Sequence, residues 1–401
     1  MPISKPRPEI EEVVRLCVSR RSFLRQGGAL FALGVGAPLL AACGDDSSDS
    51  SSGSASDATG TGEATGRIEF IGWQGYDAPD AMADFSASND ITLKPTYMGN
   101  HDEIQAKVLA AKGAKGLDMT MYAQAYAPLY TELGILEPID EDQLPNLENL
   151  FDFFAGDYKN FWVDEEGVRT GVPFNWGYVA LSYDAGVIDQ PQTYEDLLDP
   201  KFTGKIGIPE DLIGVAQLGA HVQNVDITQM TDADFAKVTD FLTQMVAQTN
   251  GVSPTYGDLA TRFSEGSVVA AFCGWPPIDG LAAEGGNDQV KTVLPDSGAV
   301  GYCDALSIPP TCDNVDAVYA WMNETMDPKT AAAILEGLGT ATPVEPAVPL
   351  LPAALADAYP YDDVEGFLEQ APMYALAPHE SDEFVTWPQV VDAWQEIKAS
   401  S

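Results

Sequence analysis

Between residues 67 and 122 three short apolar runs alternate with two amphipathic stretches, and this alternation limits the fold more than any other feature of the chain. Residues 67–73 carry Ile68, Phe70 and Ile71 and predict a first strand. Residues 79–88 have helical character, with Pro79 suited to a first turn. Residues 91–98 alternate well enough for a second strand. Residues 101–112 place Ile104 and Val108 on one helical face, and residues 118–122 predict a third strand. Strand, helix, strand, helix, strand at this spacing indicates a parallel α/β sheet, which gathers ligands beyond the carboxyl ends of its strands.

The pattern continues after a loop at 140–149 that is rich in Pro, Asn and acids. Residues 171–183 form one long apolar segment, a candidate strand crossing between two lobes. Further strands are predicted at 204–208, 268–273, 290–294 and 302–308. Helices are predicted at 214–223, 232–248, 259–266, 313–325 and 329–337. A chain of 401 residues, 45% hydrophobic, suffices for two lobes of ordinary domain size.

The N-terminal segment reads as an address and a tether. Ser19-Arg20-Arg21-Ser22-Phe23-Leu24-Arg25 resembles a twin-arginine export motif. The apolar run at 27–42 falls short of the ~20 residues that span a bilayer, and it ends in Leu40-Ala41-Ala42-Cys43. Basic residues, an apolar segment and small residues in that order predict a signal peptide over residues 1–42. A cysteine directly after the small residues resembles a lipobox, which implies lipid on Cys43. Residues 43–66 are rich in Ser, Gly, Asp, Ala and Thr, so they bury too little apolar surface to fold and predict a flexible tether.

Charge and residue counts exclude several function classes. The net charge is −41, which argues against nucleic acid or an anionic membrane face as a partner of the body. The leader holds six of the 20 basic residues and three of the 61 acidic ones, so the remainder is more acidic still. That balance suits a cationic ligand, and it equally suits a salty medium. The cysteines Cys17, Cys43, Cys273, Cys303 and Cys312 form no CxxC pair, and His101, His221 and His379 lie far apart. No metal or cofactor is expected. No GxSxG, HExxH or P-loop occurs, so no enzyme is expected either. Cys273, Cys303 and Cys312 allow one disulfide with a spare thiol, as Cys273 with Cys303 or Cys303 with Cys312, or three separate thiols.

Five segments in order resemble the polyamine-binding family of bacterial extracellular solute-binding proteins, the spermidine/putrescine type of ABC importer component. They are Trp73 and Tyr76 in a Trp-x-x-Tyr loop; Val172-Pro173-Phe174-Asn175-Trp176-Gly177; Thr193-Tyr194-Glu195-Asp196-Leu197 followed by Pro200 to Lys205; Asp304-Ala305-Leu306-Ser307-Ile308-Pro309; and Met326-Asp327-Pro328-Lys329 with Gly337 to Pro343. The resemblance implies a two-lobed α/β fold of the periplasmic-binding type II class, each lobe a mixed sheet flanked by helices, with ligand in the cleft between lobes. It implies lobe 1 at 67–176 and 304–360, and lobe 2 at 177–303 and 361–401. The implied partners are a small cationic amine and a membrane ABC permease, the implied state a monomer, and the implied location outside the cytoplasmic membrane.

A polyamine requires aromatic faces for its methylenes and carboxylates for its ammonium groups. The resemblance places Trp73, Tyr76, Asp211, Tyr302, Asp304 and Tyr359 at the ligand, with Asp304 on an ammonium, and Trp275 is a further candidate near the expected cleft. Trp176 reads as packing beside the hinge, and Asp77 and Asp279 as solvated surface acids. The chain also departs from the family's pattern. Gly214 stands where the family's Asp-x-x-Glu spacing puts a second acid, Cys273 where it has a tryptophan, and Tyr302 where it has another. Fewer acids fit a shorter diamine, or a quaternary or zwitterionic amine such as choline or betaine. Ferric iron on Tyr122, Tyr126 and Tyr178 is a further alternative. Anions are disfavoured, because only Arg67, Arg169 and Arg262 follow the leader.

Overall fold

The computed structural model describes residues 65–399 other than Asn100, Lys112, Gly113, Asp157, Lys159, Asn160 and Glu165. The expected signal peptide, Cys43 and nearly all of the expected tether lie outside the described residues.

The first three strands, β1 (Gly66–Gly72), β2 (Ile91–Tyr97) and β3 (Met119–Ala123), are parallel, with β1 between the other two. The helices Ala83–Asn89 and Asp102–Ala111 connect them. β2 is the edge strand, which explains how it accommodates Pro95 opposite Phe70: an edge position does not require every backbone donor. β3 is buried along all five residues, as a strand covered on both faces must be. The first helix begins at Ala83 and not at Pro79, because residues 79–82 are spent in turns.

The second half contains β4 (Val172–Asp184), β5 (Ile206–Gly207), β6 (Ala270–Gly274), β7 (Val290–Val293) and β8 (Val300–Ser307). β4 joins the two halves. All 13 of its residues are buried, and at ~3.3 Å per residue it reaches about 40 Å. Its first part pairs antiparallel with β8, from Val172 opposite Leu306 to Val179 opposite Val300. Its last part pairs with β6 and β7, from Ala180 opposite Gly274 to Asp184 opposite Val290. β8 in turn pairs antiparallel with β3. The sheet order is therefore β2-β1-β3-β8-β4-β6-β5, mixed in direction, with β4 serving both lobes.

Six helices of the described residues were not expected: the short Ala127–Glu132, Asp152–Ala155 and Ala353–Ala356, and three longer ones. Pro277–Glu284 starts at a proline, whose missing N–H costs nothing in a first turn. Val364–Gln370 follows a polar loop. Trp387–Ala399 lies against the helices Leu212–Val222 and Asp232–Ala247, with Trp394 and Ile397 buried. A small separate core under β6 collects Leu259, Phe263, Val268 and Ile278. No helix of the described residues is long and apolar enough to cross a membrane.

Candidate functional site

The turn after β1 carries the backbone from Trp73 to Tyr76, with the Tyr76 N–H donating to the Trp73 carbonyl at 3.2 Å. It directs the Tyr76 ring onto Phe174 of β4, at 5.1 Å between centroids. The Tyr76 hydroxyl donates to Asp304 Oδ2 at 2.5 Å, a length typical of an O–H donor on a carboxylate. Asp304 projects from β8, where its cross-strand neighbour on β4 is Asn175. Asn175 Nδ2 donates to the Tyr76 hydroxyl oxygen at 2.7 Å.

A second carboxylate lies at a helix start. Asp211 caps the helix Leu212–Val222, its Oδ1 accepting the Gly214 N–H at 3.1 Å. Its Oδ2 accepts the Tyr256 hydroxyl at 2.8 Å. The Tyr256 ring lies 5.1 Å from Trp275, and Trp275 Nε1 donates to the Tyr302 hydroxyl at 2.7 Å. Two glycines permit this packing. A Cβ on Gly214 would sit 2.5 Å from Asp211 Oδ2 and 2.9 Å from Cys273 Sγ. A Cβ on Gly177, opposite Tyr302 in the β4–β8 register, would sit 2.6 Å from the Tyr302 hydroxyl.

The electrostatics follow from burial without a counter-charge. No ion pair among the described residues involves Asp304 or Asp211. Burial pushes the Asp304 carboxyl up to about 7; the Tyr76 hydroxyl opposes this and the negative charge of Asp211 adds to it. Burial likewise raises Asp211, against the hydrogen bonds from Gly214 and Tyr256. Burial also raises the Tyr76 and Tyr302 phenols, with Asp304 contributing to both, so they remain neutral donors. Asp304 is 5% exposed, whereas Tyr76, Asp211, Tyr256, Trp275 and Tyr302 are half-buried.

Of the seven expected ligand residues, the structure joins five: Tyr76 with Asp304, Trp275 with Tyr302, and Asp211 by its field on Asp304 and Tyr302. Trp73 enters the Tyr76 turn but packs edge-on against His101 at 5.3 Å. His101 accepts the Ala123 N–H and is held neutral by burial, its pKa lowered to about 3. Tyr359 stands beside the cluster, its hydroxyl donating to the Gly339 carbonyl and its ring edge-on to Trp176 and Tyr178. Trp176 is wholly buried, its Nε1 donating to Thr342 O.

Two expectations are corrected. Asp77 is buried and accepts the Tyr97 hydroxyl at 3.0 Å. Asp279 is half-buried and accepts both the N–H and the hydroxyl of Thr292. Both acids are held by hydrogen bonds, which lets a carboxylate leave bulk water. Cys273, Cys303 and Cys312 are free thiols. The Tyr122 hydroxyl is committed to the Phe161 carbonyl, and burial raises its pKa, which opposes the phenolate that ferric iron requires.

Sequence reasoning missed Asn175 and Tyr256. Asn175 carried a signal: it is one amide inside a long, mostly apolar strand, a costly burial unless it has a partner. Its Oδ1 is buried and without a hydrogen-bond partner among the described residues. Tyr256 reaches Asp211 only through the tertiary fold, 45 residues away in sequence.

The profile of the family described as bacterial extracellular solute-binding protein matches residues 80–360. The spermidine/putrescine-binding periplasmic protein of Escherichia coli K12 is 23% identical over 305 residues, covering 74% of this chain and 84% of the relative. The putrescine-binding periplasmic protein SpuD of Pseudomonas aeruginosa is 22% identical over 321 residues, with the same coverage of 74% and 84%. Among solved structures, the spermidine/putrescine ABC transporter substrate-binding protein PotD of Streptococcus pneumoniae superposes with a TM-score of 0.67 at 18% identity, covering 83% of this chain and 98% of that one.

Proposed function

The chain belongs to the bacterial extracellular solute-binding proteins, and from that premise we propose that it captures a small polyamine-like cation between its two lobes and delivers it to a membrane ABC permease. The observation that carries this reading is the pair of acids without a counter-ion. Asp304 lies close enough to Asp211 to feel its charge, and burial raises the pKa of both. A carboxylate in such a place is costly unless a cation compensates it. A ligand ammonium supplies that charge, while Tyr76, Tyr256, Trp275 and Tyr302 offer aromatic faces to a methylene chain and to the cation. The names of the relatives point to the same ligand class.

In this reading lobe 1 comprises 67–176 and 304–360, and lobe 2 comprises 177–303 and 361–401. β4 and β8 then pass together between the lobes. Closure brings Asp211 toward Asp304, and the closed shape is what a permease distinguishes from the open one. A twin-arginine leader and a lipid on Cys43 export the monomer and hold it at the outer face of the cytoplasmic membrane. The family is one of carriers, and the cleft binds its cargo without transforming it.

The test is a calorimetric screen of the purified protein against putrescine, spermidine, choline, betaine and ferric citrate. Heat of binding and a raised melting temperature are expected with the di- or polyamines. Binding of ferric citrate alone, or of no amine, refutes the proposal.

A further inference from the structure

We propose that Asn175 determines specificity in the cleft: its buried side-chain oxygen accepts an N–H of the ligand's ammonium beside Asp304, so that amines bearing N–H groups are selected over fully alkylated ones. This rests on the amine-binding reading above.

Three observations place the Asn175 oxygen there. The first is register. β4 pairs Pro173 with Ala305 and then Asn175 with Asp304, so two residues of β4 advance against one of β8. This bulge around Phe174 turns Asn175 directly opposite Asp304, and directly opposed residues of an antiparallel pair share a face of the sheet. The second is the orientation of the amide. The Tyr76 hydroxyl has one hydrogen and gives it to ionised Asp304 at 2.5 Å. Whatever approaches the Tyr76 oxygen must then be a donor, so the group 2.7 Å away is the Asn175 NH₂ and the remaining atom is its oxygen. The third is that this oxygen, in a residue with no exposed surface, has no partner among the described residues. Buried acceptors are almost always satisfied, and an exception calls for an explanation.

A purely supporting role explains only half of this amide. Holding Tyr76 requires a donor, and Nδ2 supplies it; the orphaned acceptor is left over. An ammonium with N–H groups satisfies Asp304 and the Asn175 oxygen together. A trimethylated nitrogen satisfies neither by hydrogen bonding, although the aromatic walls accept both cations equally well.

The probes are 1,4-diaminobutane and its bis(trimethylammonium) analogue, both dications with the same spacer, measured by calorimetry at pH 8. The wild-type protein is expected to prefer the diamine. Asn175→Leu is expected to weaken the diamine by about 10- to 100-fold, the range for a hydrogen bond to a charged group, and to leave the quaternary analogue within about threefold. If Leu prevents folding, Asn175→Ala serves the same comparison. The role through Tyr76 is separated by Tyr76→Phe: adding Asn175→Leu to it must still cost the diamine about tenfold. An equal loss for both dications, an unchanged diamine affinity, or no added loss in the Tyr76→Phe background overturns the inference while leaving the amine reading intact. If the wild-type protein binds neither dication, the amine reading fails and this inference falls with it.

Discussion

Asp304→Asn should have opposite effects on ligand binding and on the stability of the empty protein. The substitution preserves shape and removes one charge from a site that is 5% exposed. Moving a carboxyl from its usual value near 4 to about 7 is worth about 4 kcal/mol. The sign follows from which state holds the proton. Between pH 4 and 7 the folded protein binds the proton that the unfolded chain has released, so stability falls as pH rises through that window. Above pH 7 the full cost stands. Asparagine cannot ionise and escapes it, so at pH 8 the ligand-free variant should melt roughly 5 °C above the wild type, at about 2.1 cal/mol/K per residue for a body of this size. The difference should shrink toward pH 5. With 1,4-diaminobutane the order reverses: loss of the charge-assisted contact should weaken binding by about 1.5–3 kcal/mol, or ~10- to 150-fold. The measurements are thermal melts at pH 5 and 8 without ligand, and titration calorimetry at pH 8. A variant that melts at or below the wild type at pH 8, or that binds the diamine unchanged, refutes the view that an uncompensated carboxylate is kept here for its ligand.

Two further outcomes follow from particular contacts. Gly177→Ala places a Cβ 2.6 Å from the Tyr302 hydroxyl, so the ring must move and Trp275 must lose its acceptor; we expect about 1–3 kcal/mol of destabilisation in urea melts and weaker diamine binding by calorimetry, and an unchanged affinity would remove the Trp275–Tyr302 pair from the site. Cys43→Ser should shift the protein from the membrane fraction to the soluble fraction of fractionated cells, and its retention in the membrane would remove the lipid anchor.

The parts of this molecule that were legible in its sequence are those set by local chemistry. The runs of apolar residues located the eight strands of the described residues to within about two residues, because a strand buried on both faces, such as β3 or β4, reads as a mostly apolar run. Asp304 stood out as an acid in an apolar strand, and Tyr76 as an aromatic beyond a strand end. Helices beginning at proline pairs, as at Pro276 and Pro277, were lost because proline reads as a breaker until its place in the first turn is known. Asp77 and Asp279 were misjudged for a related reason: a sequence shows the charge of an acid and hides the Tyr97 or Thr292 donor that lets it be buried. The same limit governs the cleft. The partner of Asp211 is Tyr256, and that of Asp304 is Tyr76, each supplied across tens to hundreds of residues.

β4 makes this assembly possible. Because one uninterrupted strand runs through both lobes, Asn175 and Gly177, two residues apart and on the same face of the strand, stand opposite Asp304 and Tyr302 of β8. The acid and Tyr302 are thereby set on a common framework, while Asp211 stands at the N-cap of the helix Leu212–Val222. In the proposed function, a cation between them would be bound by one carboxylate fixed in the β4–β8 pair and another at the start of the helix Leu212–Val222. Under that proposal affinity and closure share a cause: the charge that attracts the ligand would also draw Asp211 inward, and without that ligand the repulsion of Asp304 by Asp211 would favour opening.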